Sequence, residues 1–274
     1  MRIRNVVSVR LTQPRQLVLD LLAAAGRVPV DVRALVEAGR ILGLTENAMR
    51  VALSRLRARE AVVSPTRGAY VLGPSAPPRP PTPWKAGDEE LLAPWDGASW
   101  LAVHELGALP EPLRWLGFRP VLRGLSLRPA NLRGGAPALR AELGPARPVF
   151  VVSALDPAPD AEALWDVHAR SMRQAALARA LEDGFATIED AVPSDDAALA
   201  TAFRLGGQAL RSLHLDPRLP PALAPAEPRR RLQAAMRRYD RRARALWSAR
   251  LGLEGATPLG RVDGGRSERE GVHA

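Results

Sequence analysis

Apolar positions recur at two periods along this chain, and each change of period marks an element. Between residues 16 and 25, Leu17, Val18, Leu21, Leu22 and Ala25 fall on one side of a helix. A second helical pattern through Leu35, Ala38 and Leu42 stops at Gly43, and a third runs through Met49, Ala52, Leu53 and Leu56. Gly39 is small where two such helices would touch, and Gly43 can supply the turn between them. Thr45 can cap the helix that follows, and Glu46 complements its positive end. Residues 61–72 then alternate as strand, a Pro-Thr-Arg-Gly turn and strand. Together these predict a winged helix-turn-helix domain over residues 1–73.

The pattern changes after a Pro-rich connector, residues 74–94, whose PSAPPRPPTP run favours extended, semi-rigid backbone. A strand over 100–105, a helix over 110–116, a strand over 121–127, a helix over 137–143 and a fully buried strand over 148–155 follow. Such alternation predicts a ferredoxin-like α+β domain over 95–158. From 161 onward the pattern is helical: a segment capped by Asp160, a stretch over 172–181, another over 195–213, and a last helix over 228–251. Residues 159–254 are therefore expected as a helical C-terminal domain, and the Gly-rich, polar 255–274 as a disordered tail. The expected class is α+β. Leu232, Met236, Tyr239, Ala243 and Leu246 form a stripe on the last helix, and it offers an assembly surface for a homodimer.

The outward face of the third helix carries the candidate chemistry. At ~100° per residue, Asn47, Arg50, Val51 and Ser54 lie opposite its apolar side, flanked by Arg55 and Arg57. Asn can bond adenine bidentately, Arg can do the same to guanine, and flanking Arg suits phosphates. Arg67 stands at the tip of the expected wing. Thr45, Asn47, Arg50, Ser54, Arg55, Arg57 and Arg67 are accordingly the expected DNA-binding residues, and double-stranded DNA the expected partner. One winged helix covers too few base pairs for selectivity, so a dimer on an inverted repeat is expected.

Charge sharpens this. Residues 1–74 carry twelve arginines against five acids, residues 84–206 twelve bases against seventeen acids, and residues 207–274 fourteen bases against seven acids. Basic ends around an acidic middle suggest a DNA-contacting end and a middle that does something else. The last helix holds nine arginines and one acid between 229 and 250. Either it grips phosphate, an acidic surface or an anionic ligand, or it packs with its arginines along the flanks.

Other classes find little. The chain has no Cys, and its four His are scattered with no HExxH spacing, so no metal site or cofactor is expected. Ser153 lacks a nucleophile elbow, and Gly134-Gly135 lacks the spacing of a phosphate loop. No enzyme activity is expected. No apolar run approaches ~20 residues and the first residues lack a signal-peptide core, which points to a cytoplasmic protein without a membrane partner. Two alternatives remain: a nonspecific architectural DNA-binding protein, and a metal-dependent nuclease-like enzyme using Glu105 at the end of its first middle-domain strand.

Four ordered blocks resemble the PaaX family of bacterial transcriptional repressors of phenylacetic acid catabolism. They are 43–56 (GLTENAMRVALSRL), Trp95-Asp96-Gly97 with Trp100-Leu101, 113–118 (LRWLGF) and 215–225 (LDPRLPPALAP). The resemblance implies a dimeric repressor of three parts: a winged helix, a ferredoxin-like middle similar to a CRISPR adaptation nuclease, and a helical C-terminal domain. It also implies release from DNA by an acyl-CoA effector such as phenylacetyl-CoA. Arg128, Arg133 and the arginines from 229 to 244 would then be the cations available to its phosphates. The chain departs from the family where Ala226-Glu227-Pro228 replaces a Trp-Pro-Gly, and aromatic content is 4%. The acyl part of the effector stays open.

Overall fold

A computed structural model describes residues 13–77 and 91–253, apart from 106, 145–147, 154 and 157. The described chain divides into two compact units, one of residues 13–77 with 251–253 and one of residues 91–250. Most of the Pro-rich connector, residues 78–90, and the expected tail, 255–274, lie outside the described residues.

In the first unit, α1 (Pro14–Ala25), β1 (Val30–Asp31), α2 (Val32–Ile41), α3 (Glu46–Ala58), β2 (Val62–Thr66) and β3 (Ala69–Leu72) follow in order. The strands form an antiparallel sheet in the order β1-β3-β2. Local chemistry sets the boundaries. Asp31 accepts a hydrogen bond from Arg33 N at 2.6 Å and caps α2, while Thr45 Oγ1 accepts one from Ala48 N at 3.2 Å and caps α3. Between them Gly43 turns the chain at φ +83°, a conformation that costs other residues energy. Gly39 lets α2 and α3 touch, since a Cβ there would lie 2.5 Å from Met49 Cγ. Leu17, Val18, Leu22, Leu35, Met49, Leu53, Leu56 and Val62 are buried around this contact. The stripe expected on α1 shifts: Leu19 is buried and Leu21 is only half-buried. Both α2–α3 and β3 pack on α1, so its covered surface is wider than one helix would cover. Two-residue β1 is too short to show alternation in sequence.

In the second unit, β4 (Trp100–His104), α4 (Glu111–Trp115), β5 (Arg119–Leu122), β6 (Leu125–Pro129), α5 (Gly135–Leu143) and β7 (Val149–Val152) form a four-stranded antiparallel sheet, order β5-β6-β4-β7. Alternate residues of β4 serve two cores. Leu101 and Val103 pack with Leu113, Phe118, Leu139 and Val149, and Trp100 and Ala102 with Leu127, Trp165 and Leu219. Two expectations need correction here. Residues 121–127 are not one strand but parts of two, because Gly124 at φ +81° turns the chain between Leu122 and Leu125. The strand expected over 148–155 is shorter and is not fully buried. It lies at the sheet edge, with Phe150 and Val151 49% and 54% exposed.

Helices α6 (Ala161–Trp165), α7 (Val167–Glu189), α8 (Asp196–His214) and α9 (Glu227–Leu251) complete the unit. Asp160 and Asp195 cap α6 and α8 by accepting from Glu162 N and Ala198 N, each at 2.9 Å. Ala178, Leu181 and Ile188 of α7, Ala202, Ala209 and Leu213 of α8, and Leu232, Met236 and Tyr239 of α9 form one core. The stripe read as an assembly surface is therefore used inside the chain: Leu232, Met236, Tyr239 and Leu246 are all buried. Sequence periodicity shows that a helix has an apolar face, not whose surface covers it. The described residues make a mixed α+β molecule of nine helices and two antiparallel sheets, helical toward its C-terminus. None of the described helices is long and apolar enough to cross a membrane.

Candidate nucleic-acid interface

Helix α3 buries Met49, Ala52, Leu53 and Leu56 and turns the opposite side to solvent. Asn47, Arg50, Ser54, Arg55 and Arg57 are all exposed, and so is Val51, at 40%. Thr45 is exposed too, with its hydroxyl engaged in the cap. Arg67 is exposed where β2 turns into β3. The structure thus places Asn47, Arg50, Ser54, Arg55 and Arg57 on one continuous helix surface, with Arg67 on the hairpin of the same unit.

Two features of this surface were not read from the sequence. Arg50 Nε lies 2.6 Å from Glu46 Oε1, an i,i+4 ion pair with side chains 56% and 60% exposed. A pair so exposed is worth only ~0.2–1 kcal/mol, so Arg50 is held loosely and can exchange partners. The second feature is an open groove lined by Arg50, Leu53, Ser54 and Arg57 of α3, with Val32 and Tyr70. Val32 at the start of α2 and Tyr70 of β3 form its far wall, held together because Val30 pairs with Tyr70 and Val32 N donates to Gly68 O at 2.8 Å. The only sequence signal for that wall was the short Val-Pro-Val-Asp run before α2.

Arginine partners divide the molecule. Of the nine described arginines in the first unit, Arg40 pairs with Glu37 and Arg50 with Glu46. Arg15, Arg27, Arg33, Arg55, Arg57, Arg59 and Arg67 make no side-chain hydrogen bond or ion pair among the described residues. Helix α9 is the reverse. Arg231 meets Glu182 at 2.6 Å, Arg250 meets Asp196 at 3.2 Å, and Arg238 meets Glu189 at 3.6 Å with its guanidinium 3.9 Å above the Phe185 ring. Arg242 donates to Ile188 O and Ala191 O at 2.8 and 2.7 Å, closing the C-terminal end of α7. The hydrogen bond from Arg231 holds the Glu182 carboxyl below its ordinary range. The apolar stripe of this basic helix is packed within the unit, and its arginines lie along the flanks.

One cation proposed for effector phosphates, Arg128, must be corrected. Arg128 is 1% exposed and donates to Leu116 O, Pro129 O and Asn131 Oδ1, and burial lowers its guanidinium to about 9. It is committed to backbone carbonyls and cannot reach a surface phosphate. Arg242 is held by two carbonyls, whereas Arg230, Arg231 and Arg238 sit in exposed pairs as loose as that of Arg50. Among the described residues, no group of three or more His, Asp or Glu could hold a metal ion.

No family model matches this chain, and no curated protein matches it. Among solved structures it is similar to the uncharacterized protein Rv0674 from Mycobacterium tuberculosis, at 20% identity and a TM-score of 0.53. The similarity covers 85% of this chain and 98% of that one, and it shows a shared fold.

Proposed function

We propose that this chain is a sequence-specific DNA-binding transcriptional repressor whose first unit is a winged helix. The observation that carries the reading is the contrast on α3. Its outward face presents Asn47, Arg50, Val51 and Ser54, and it is flanked by arginines with no partner among the described residues. In this reading Arg50 leaves Glu46 for a guanine edge, Asn47 takes an adenine edge, and Val51 meets a thymine methyl. Arg55, Arg57 and Arg67 neutralise phosphates and fix the register, and the β2–β3 hairpin acts as the wing. Thr45 keeps the first turn of α3 ordered beside the DNA.

The second unit, in the same reading, combines a ferredoxin-like layer with a helical C-terminal layer. Strand–helix–strand–strand–helix–strand connectivity with sheet order β5-β6-β4-β7 supports the first assignment. The protein would bind an inverted repeat as a homodimer and be released by an acyl-CoA-type effector. The effector class rests on the PaaX resemblance. A ~100-fold preference of the effector for the DNA-incompetent state corresponds to ~2.7 kcal/mol of coupling.

Selection of binding sites from a random duplex library tests the reading. Recovery of one two-fold-symmetric site, protected in footprints over half-sites spaced by whole helical turns, is the expected result. Equal binding to all duplexes would replace the repressor with a nonspecific DNA binder.

A further inference from the structure

The open groove beside α3 holds hydrogen-bonding capacity that the fold does not use. Arg50, Ser54 and Arg57 follow at i, i+4 and i+7, so they share one flank of the helix over about 10 Å of its rise. Tyr70, half-buried, stands on the opposite wall. It is held there from both sides, because β3 is the central strand of its sheet and Val30 of β1 pairs with Tyr70 itself.

The polar groups of the lining are not spent inside the unit. Arg57 and the Ser54 and Tyr70 hydroxyls make no side-chain hydrogen bond or ion pair among the described residues. Arg50 has only its exposed pair with Glu46. No acid lines the groove. Of the acids on the flanking turns, Glu46 faces Arg50, and Asp31 accepts from Arg33 N as the cap of α2. Two guanidiniums and two hydroxyls therefore share one space without a carboxylate. The group that fits them is anionic and carries several acceptor oxygens.

The form of the groove narrows the source of that anion. Being open, it leaves a free ion in contact with water, where salt screens it. At ~100° per residue, Arg57 and Arg55 stand ~160° apart around α3, on either side of the face that carries Asn47 and Val51. Two phosphate strands border a recognition helix in the same way when its outward face meets the bases.

We infer that the groove clamps one phosphodiester of the DNA backbone. Arg57 supplies charge-assisted bonds, and the Ser54 and Tyr70 hydroxyls donate beside it. Arg50, one turn nearer the start of α3 than Ser54, stays with the bases. Tyr70 is thereby a positioning residue, since a phosphate gripped between α3 and β3 fixes how deeply α3 sits. The clamp rests on the DNA-binding reading of α3 and gives that surface a second wall, from a strand otherwise read only as part of the wing.

The test compares full-length wild type, Tyr70→Phe, Arg57→Ala and the double variant on the selected duplex and on random duplex, with thermal unfolding of each protein. Tyr70→Phe keeps the ring and removes only the hydroxyl. It should weaken binding about tenfold on both duplexes, with the melting temperature and the salt slope of wild type, because a neutral donor releases no counterion. In the Arg57→Ala background the same change should cost less than about threefold, since both groups hold one phosphate. A loss under about threefold in Tyr70→Phe, a loss confined to the selected duplex, a lowered melting temperature, or a full tenfold loss in the double variant each overturns the clamp. Inorganic phosphate at equal ionic strength should displace duplex no better than chloride; displacement by it would make the groove a free-anion site instead. Wild type that binds every duplex equally, with the Tyr70→Phe loss intact, overturns the repressor reading and leaves the clamp standing, whereas wild type that binds no duplex overturns both.

Discussion

The first unit and helix α9 each present nine described arginines, yet the two sets have opposite fates. In the first unit seven have no partner among the described residues, whereas Arg231, Arg238, Arg242 and Arg250 are tied to acids or carbonyls of α7, α8 and the turn between them. Three acids of the middle, Glu182, Glu189 and Asp196, are counter-charges of the chain's own basic end. Net charge by segment therefore misleads, and what marks a nucleic-acid surface is cationic charge the protein has not already used.

Substitutions can break or sharpen this contrast. The largest effect is expected at Arg50. Arg50→Ala should cost ~1–3 kcal/mol on the selected site and little on random duplex, measured by competition binding. Equal losses on both would remove Arg50 from base reading. Glu46→Gln should tighten binding to all duplexes, because it frees Arg50 and removes a repelling carboxylate.

The next effect should appear in stability alone. Arg242→Ala leaves the Ile188 and Ala191 carbonyls without their donor, and chemical denaturation should report a loss of ~1–3 kcal/mol with DNA affinity unchanged. Arg231→Ala breaks an exposed pair and should cost much less, again without effect on DNA. A marked loss of DNA binding in either variant would mean that α9 touches DNA.

The smallest effect concerns pH. Burial pushes the Tyr239 phenol up to about 12 from its ordinary 10.0. The unfolded chain then ionises first. Stability from this group is intact below pH ~10 and declines as pH rises from there toward ~12, where the folded protein holds the extra proton. Tyr239→Phe should flatten that decline in denaturation measured across the alkaline range.

Much of this molecule was legible in the sequence where local chemistry decides. Gly39, Gly43, Thr45, Asp160 and the apolar residues of α3 all act as their spacing implies, because caps, turns and helix faces are set within a few residues. Elements decided by distant partners were not legible. Two-residue β1 exists only because Tyr70 and Ala69 pair with it, and edge-strand β7 has the composition of a buried strand. The α9 stripe looked free because α7 and α8 are far away in sequence. The candidate α3 surface was readable as a set, but the Glu46 pair with Arg50 was missed, since Glu46 had been given to the helix end.

The most direct test is the salt dependence of DNA binding. Each phosphate contact contributes about 0.9 to the slope of log affinity against log salt. The protein carrying Arg55→Ala, Arg57→Ala and Arg67→Ala together should lose ~2.7 from that slope, while one carrying Arg231→Ala, Arg238→Ala and Arg244→Ala should keep the wild-type slope. An unchanged slope in the first protein, or an equal fall in the second, would contradict the assignment of the DNA surface to the first unit.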